Sequence, residues 1–144
     1  MAKGIKHTGK RGQPRTITNG ADLRMISVVP EPPAYFDEER RVEWNELCGI
    51  LIARSDLSEG DLAVVEVMTN SICEYRTAAT GLIEQGLTVQ GARGGTIVNP
   101  LGPAKKNAEM QILTTAMALG LSPQSRRNLK HVSIDETEAT GGDF

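Results

Sequence analysis

The feature that most constrains this chain is a row of apolar residues, Val65, Met68, Ile72, Tyr75, Ala79 and Leu82, spaced alternately by three and by four. An α-helix is the backbone that brings such positions onto one face, and the alternation suits packing along a second helix over the full length. Ser58 supplies an N-cap, Asp61 three residues on completes an approximate capping box, and Gly86 supplies a stop. Drawn from Glu59 to Gln85, the helix is about 40 Å long at ~1.5 Å per residue. In a chain of 144 residues, one domain's worth, no single short partner covers such a rod. Part of the seam is therefore expected to meet another copy, which makes these six residues the expected oligomerisation surface.

Around this helix the remaining elements follow from local signals. Asp37 caps a first helix whose acidic start, Glu38 and Glu39, suits the positive end of the helix dipole. Trp44, Leu47, Cys48 and Leu51 form its apolar face, widened by Ile50, and the helix fades around Arg54 and Ser55. "LTVQGARGGTIVN", residues 87–99, has β-prone residues either side of a glycine-rich tip and reads as a short hairpin. A third helix begins at Asn99-Pro100 or at Gly102-Pro103 and ends at Leu119 before Gly120. Its inner face is Ala104, Ala108, Ile112, Thr115 and Leu119, with Leu113, Ala116 and Met117 beside it. Ser122 and Pro123 then open a short fourth helix. Aromatic residues are scarce, so Leu, Ile, Val, Met and Ala must build the core, which suits helices better than a β-sandwich. The expected fold is all-α, mainly helical, with a short β-hairpin between the second and third main helices. Residues 1–35 read as a basic, flexible arm with an extended proline-rich end, 36–130 as the helical core, and 131–144 as an acidic disordered tail.

A net charge of −2 conceals segregation. Residues 1–24 hold six bases against one acid, residues 25–96 five against twelve, residues 97–131 five against one, and residues 132–144 four acids alone. Basic segments of this kind bear on partners rather than on fold. Lys3, Lys6, Lys10, Arg11 and Arg15 in the arm can follow a phosphate backbone and release counterions, or can simply solubilise the chain. Arg126, Arg127 and Lys130 sit on or after the short fourth helix, where positive charge also suits a helix end. Lys105 and Lys106 lie in the first turn of the third helix, where the dipole disfavours them, so a carboxylate of the second helix or a phosphate is expected nearby.

Chemistry is harder to find. "GARGG" lacks the lysine and strand–helix setting of a phosphate loop. His7 and His131 have no partner at ligand or catalytic spacing, and Cys48 and Cys73 read as buried thiols within apolar helical patterns. No nucleophile–base pair is visible, so no catalysis, cofactor or metal is expected. No apolar run approaches the ~18 residues that a membrane span needs, and no apolar stretch follows the basic N-terminus.

Taken in order, the basic arm, "WNEL" in the first helix, "EYRTAATGLIEQG", "TVQGARGGTIVNP" and "KKNAEMQILTTAMALGLSPQSRRNL" resemble the small terminase subunit of tailed, lambdoid-type bacteriophages. The resemblance covers about residues 36–130. It implies a non-enzymatic subunit of a ring-shaped oligomer, working in the host cell cytoplasm. Such a subunit recognises the packaging-initiation site on double-stranded viral DNA and brings it to the large subunit, which carries the ATPase and nuclease. The acidic tail would then contact the large subunit or compete with DNA for basic surface. A small helical transcriptional regulator, or an adaptor that binds only protein, remain the alternative readings of the same residues.

Overall fold

The computed structural model describes residues 24–128. It is mainly helical, with a two-stranded antiparallel hairpin between the second and third long helices: α1 (Glu38–Ala53), a single 3₁₀ turn (Glu59–Asp61), α2 (Leu62–Gln85), β1 (Thr88–Gln90), β2 (Thr96–Val98) and α3 (Leu101–Ala118). A short helical segment follows at 123–128.

The helix starts obey the capping chemistry. The Asp37 carboxylate accepts from the Arg40 backbone N–H at 3.0 Å, and Glu38 and Glu39 fill the first turn of α1. The Asp61 carboxylate accepts from both the backbone N–H and the hydroxyl of Ser58, at 2.9 and 2.6 Å. That first turn is 3₁₀ rather than α, so α2 proper begins at Leu62. Of the two candidate starts for α3, the structure takes Asn99-Pro100: Asn99 Oδ1 accepts from the Leu101 N–H at 3.0 Å.

Two helices end in the same way. After α3, Gly120 adopts φ 64°, the Leu121 N–H donates to the Ala116 carbonyl at 2.8 Å, and the Gly120 N–H to Met117 at 3.3 Å. After α1, the Asp56 N–H reaches back to Leu51 and the Ser55 N–H to Ile52, both at 2.9 Å. These are paired Schellman bonds, with a left-handed residue at the hinge. At the second site that residue is Ser55, at φ 57°.

The core gathers Phe36, Trp44, Leu47, Cys48, Leu51, Leu57, Val65, Met68 and Leu119, with Ile72, Ile112, Ala116 and Leu121 packed against it. Each large apolar side chain sealed in this way is worth about 1.5–3 kcal/mol. Ile50, expected to widen the α1 face, is half exposed, and Ile52 packs in its place.

The structure also differs from the sequence reading at the end of the arm. Residues 24–35 lie against the helices. Met25 bridges Ser58, Ile26 N–H donates to the Leu57 carbonyl at 2.8 Å, and Trp44 Nε1 donates to the Pro30 carbonyl at 3.0 Å. The proline-rich stretch has no periodicity to read, yet its carbonyls satisfy a buried indole that needs an acceptor.

α2 is the central element, in contact with both α1 and α3. The rod left bare by α1 is covered by the chain's own α3. A Cβ on Gly81 would come 2.5 Å from Leu101 Cδ1, so the glycine permits the close approach of the two helices where α3 begins.

Candidate nucleic-acid and assembly surfaces

The basic residues separate into groups. Lys3, Lys6, Lys10, Arg11, Arg15 and Lys130 lie outside the described residues. The rest sit toward opposite ends of α3: Lys105 and Lys106 one turn in from its start at Leu101 rather than in the first turn, Arg126 and Arg127 beyond its C-terminus. Along the chain the two pairs are separated by about 18 Å of helix axis, from Lys106 to Ala118, and then by the Gly120 turn.

Lys105 has found a partner that neither reading of the sequence supplied. Its Nζ lies 5.2 Å from the centroid of the Tyr75 ring. The ring's negative face takes the ammonium near the unfavourable helix terminus, a contact worth about 0.5–1 kcal/mol where water still reaches it. Lys106, on the next position around the helix, is exposed and enters none of the ion pairs among the described residues. Arg126 and Arg127 are exposed as well, on a helical segment opened by Ser122, whose Oγ accepts from the Ser125 N–H at 3.1 Å. Arg93 is exposed at the hairpin tip, where its glycine neighbours signal only turn chemistry in the sequence. The tip is closed by bonds from Gly91 N–H to the Gly95 carbonyl and from Gly94 N–H to the Gly91 carbonyl.

The acids occupy other ground. A cleft of about 530 Å³ lies between Glu39 of α1, Arg76 and Glu84 of α2 and Leu101 of α3. Its two carboxylates make it a poor seat for phosphate. Glu43, buried on α1, is held by Arg76 at 2.6 Å, so that arginine is already committed. Tyr35 hydrogen-bonds Glu66 at 2.6 Å, which pushes its phenol up, and also accepts from Asn70 at 2.9 Å.

The six residues of the α2 seam divide. Val65 and Met68 are buried in the core of the single chain; Ile72, Tyr75, Ala79 and Leu82 are half-buried, on the helix that α3 covers. Val65 and Met68 in this conformation stabilise the protomer and offer nothing to a second copy. The open apolar surface is elsewhere. On α3, Met110, Leu113 and Met117 are exposed, although Leu113 and Met117 were placed beside the inner face. Ala104 is exposed too, whereas Ala108, Ile112, Thr115 and Leu119 turn inward as read.

The thiols are buried and free, and burial pushes Cys48 up to about 11 and Cys73 in the same direction. Neither is poised as a thiolate nucleophile. Among the described residues no group of three or more His, Cys, Asp or Glu side chains is placed to hold a metal ion, and no helix is long and apolar enough to cross a membrane.

Fold and surface together define a class: a small helical protein, with a β-hairpin between its long helices, whose free basic side chains stand apart from an acidic middle. Within that class the chain belongs to the family described as phage terminase, small subunit, whose model matches residues 41–136, two thirds of its length. No curated protein and no solved structure matches it.

Proposed function

We propose that the chain is the DNA-recognising subunit of a phage genome-packaging machine. It binds the packaging-initiation site on double-stranded viral DNA, assembles with copies of itself into a ring, and brings the DNA to the large terminase subunit, which cuts and translocates it. It has no catalytic role of its own, and it acts in the host cell cytoplasm. Family membership over residues 41–136 carries this reading. The charge pattern supports it: the arm concentrates five bases between Lys3 and Arg15, and Lys106, Arg126 and Arg127 are exposed, while α1 and α2 are acidic. Phosphate contacts supply sequence-independent affinity, and repetition around a ring multiplies weak single-site attraction.

The direct test is competition binding with duplexes tiled across the parent phage genome. A fragment containing the packaging origin is expected to bind at least about tenfold more tightly than unrelated duplex at ~150 mM salt. A flat profile across the genome would remove site recognition, and no binding to any duplex would remove the proposal.

A further inference from the structure

Residues 85–108 carry three bases and no acid, in a chain whose α1 and α2 are acidic. Within them lies the β1–β2 hairpin, whose single charged residue is Arg93 at the tip. The tip, Gly91 to Gly95, is closed by its own backbone bonds, with Gly94 at φ 82°. A Cβ on Gly94 or Gly95 would meet nothing within 4 Å, so this side of the tip stands clear of the helices. Arg93 is the one long side chain of the tip, and its glycine neighbours let the backbone come close to a ligand.

The strand register sorts the side chains into two faces. Val89 pairs with Ile97 on one; Thr88 pairs with Val98, and Gln90 with Thr96, on the other. On the first face Val89 is half-buried and Ile97 lies over Gly91. All four residues of the second face are exposed. Thr88, Gln90 and Thr96 enter no side-chain hydrogen bond among the described residues, and Arg93 enters no ion pair among them.

These residue types can read base edges. Arginine donates in pairs to guanine O6 and N7, glutamine bonds adenine N6 and N7, and a threonine methyl packs on the thymine methyl. The major groove, about 12 Å wide, admits a two-stranded β-ribbon and shows a distinct pattern for each base pair. The minor groove, about 6 Å wide, is too narrow for a ribbon and nearly degenerate. Lys106, Arg126 and Arg127 offer charge without such a polar set, which suits phosphates, and phosphate contacts position a protein without specifying sequence.

We infer that the hairpin is the sequence-reading element of this chain: its Thr88, Gln90, Thr96 and Val98 face enters the major groove of duplex DNA, with Arg93 on a guanine. Positive charge without a nearby acid in the sequence, and a ribbon of the width the groove admits, select this occupant. The inference rests on the DNA-binding reading proposed above and adds to it the element that tells one duplex from another.

The test uses the full chain, Gln90→Ala and Arg93→Ala. Competition binding is measured with the tightest-binding duplex of the parent phage genome and with unrelated duplex of equal length, at ~150 mM salt. Each variant is expected to lose at least about fivefold in affinity for the first duplex, while its affinity for the second changes little. Both side chains are exposed, so circular dichroism and melting should match wild type. If the Gln90 variant melts early, Gln90→Thr, which favours the strand, takes its place. Replacing guanine by 7-deazaguanine in the first duplex removes the N7 acceptor from the major groove. Wild type is expected to weaken on it and Arg93→Ala to weaken less; equal weakening overturns the guanine contact. Variants that keep the wild-type ratio between the two duplexes overturn the hairpin as reader and leave DNA binding standing. A wild type that binds both duplexes alike overturns site recognition itself, and the reader with it.

Discussion

Ser55 and Gly120 occupy the same place in the same turn, one after α1 and one after α3. Glycine adopts a left-handed φ freely, whereas a residue with a Cβ is strained there by about 1 kcal/mol or more. Ser55→Gly should therefore stabilise the fold by about 0.5–1 kcal/mol, and Gly120→Ala should destabilise it by about 1 kcal/mol, both read from urea unfolding. Equal signs for the two would contradict the turn assignment. The Gly120 turn was legible in "GLSP"; the Ser55 turn was not, because serine carries no left-handed signal and only the helix end was readable. Lys105 shows a similar limit. Its conflict with the helix dipole could be read from position alone, but its partner Tyr75 depends on how α3 is set against α2. Cys48 yields a pH prediction. Its thiol is held neutral in the folded chain up to about 11, against an ordinary value of 9.0, by burial. Between those values the unfolded chain loses a proton that the folded chain keeps, so stability falls as pH rises through this window. Native protein at pH 8 should react with a thiol reagent far more slowly than denatured protein, and denaturant midpoints should decline above pH 9. Rapid labelling of Cys48 in the native state would contradict its burial.

At the scale of elements, the structure turns on where the chain reverses. Asn99, 1% exposed, ties three elements together. Its Nδ2 donates to the Gly86 carbonyl at 2.9 Å and its Oδ1 caps α3, while its backbone N–H donates to the Leu87 carbonyl at 2.9 Å. The residue thus sets the return of α3 along α2. Asn99→Ala should cost about 1–2 kcal/mol, since it removes the cap of α3 and the bond to the Gly86 carbonyl, and Asn99→Asp should lose less because it keeps the cap. A thermal melt in which the alanine variant matches wild type would refute this role. The helices, their caps and the hairpin were readable because periodicity and turn chemistry are local. What covers the α2 seam was not, because coverage depends on residues over twenty positions away. The Ala108, Ile112, Thr115, Leu119 face was visible in α3, but its partner was not named by any local signal. The same holds for residues 24–35, whose hydrogen bonds run from an aperiodic stretch to Trp44, Leu57 and Glu59.

For the whole molecule, the division of labour is one of charge and surface. The acids concentrate on α1 and α2, and the free bases stand on and beyond α3, at the hairpin tip and, in the sequence, along the arm. Phosphate attraction, if it drives function, must come from those peripheral groups, because Lys105 is already over Tyr75 and Arg76 is paired with Glu43. The candidate bases were legible as residue types; which of them stand free was not, since that depends on packing partners. The most direct measurement is the affinity for origin-containing duplex between about 50 and 200 mM salt, for wild type and for a variant neutralised at Lys3, Lys6, Lys10 and Arg11. Each neutralised phosphate contact contributes about −0.9 to the slope of log affinity against log salt. Wild type is expected to show a steep negative slope, and the variant a weaker, flatter dependence. Wild-type affinity and slope in the variant would move the contact to Lys106, Arg126 and Arg127, and an affinity indifferent to salt in both proteins would contradict DNA binding through phosphate altogether.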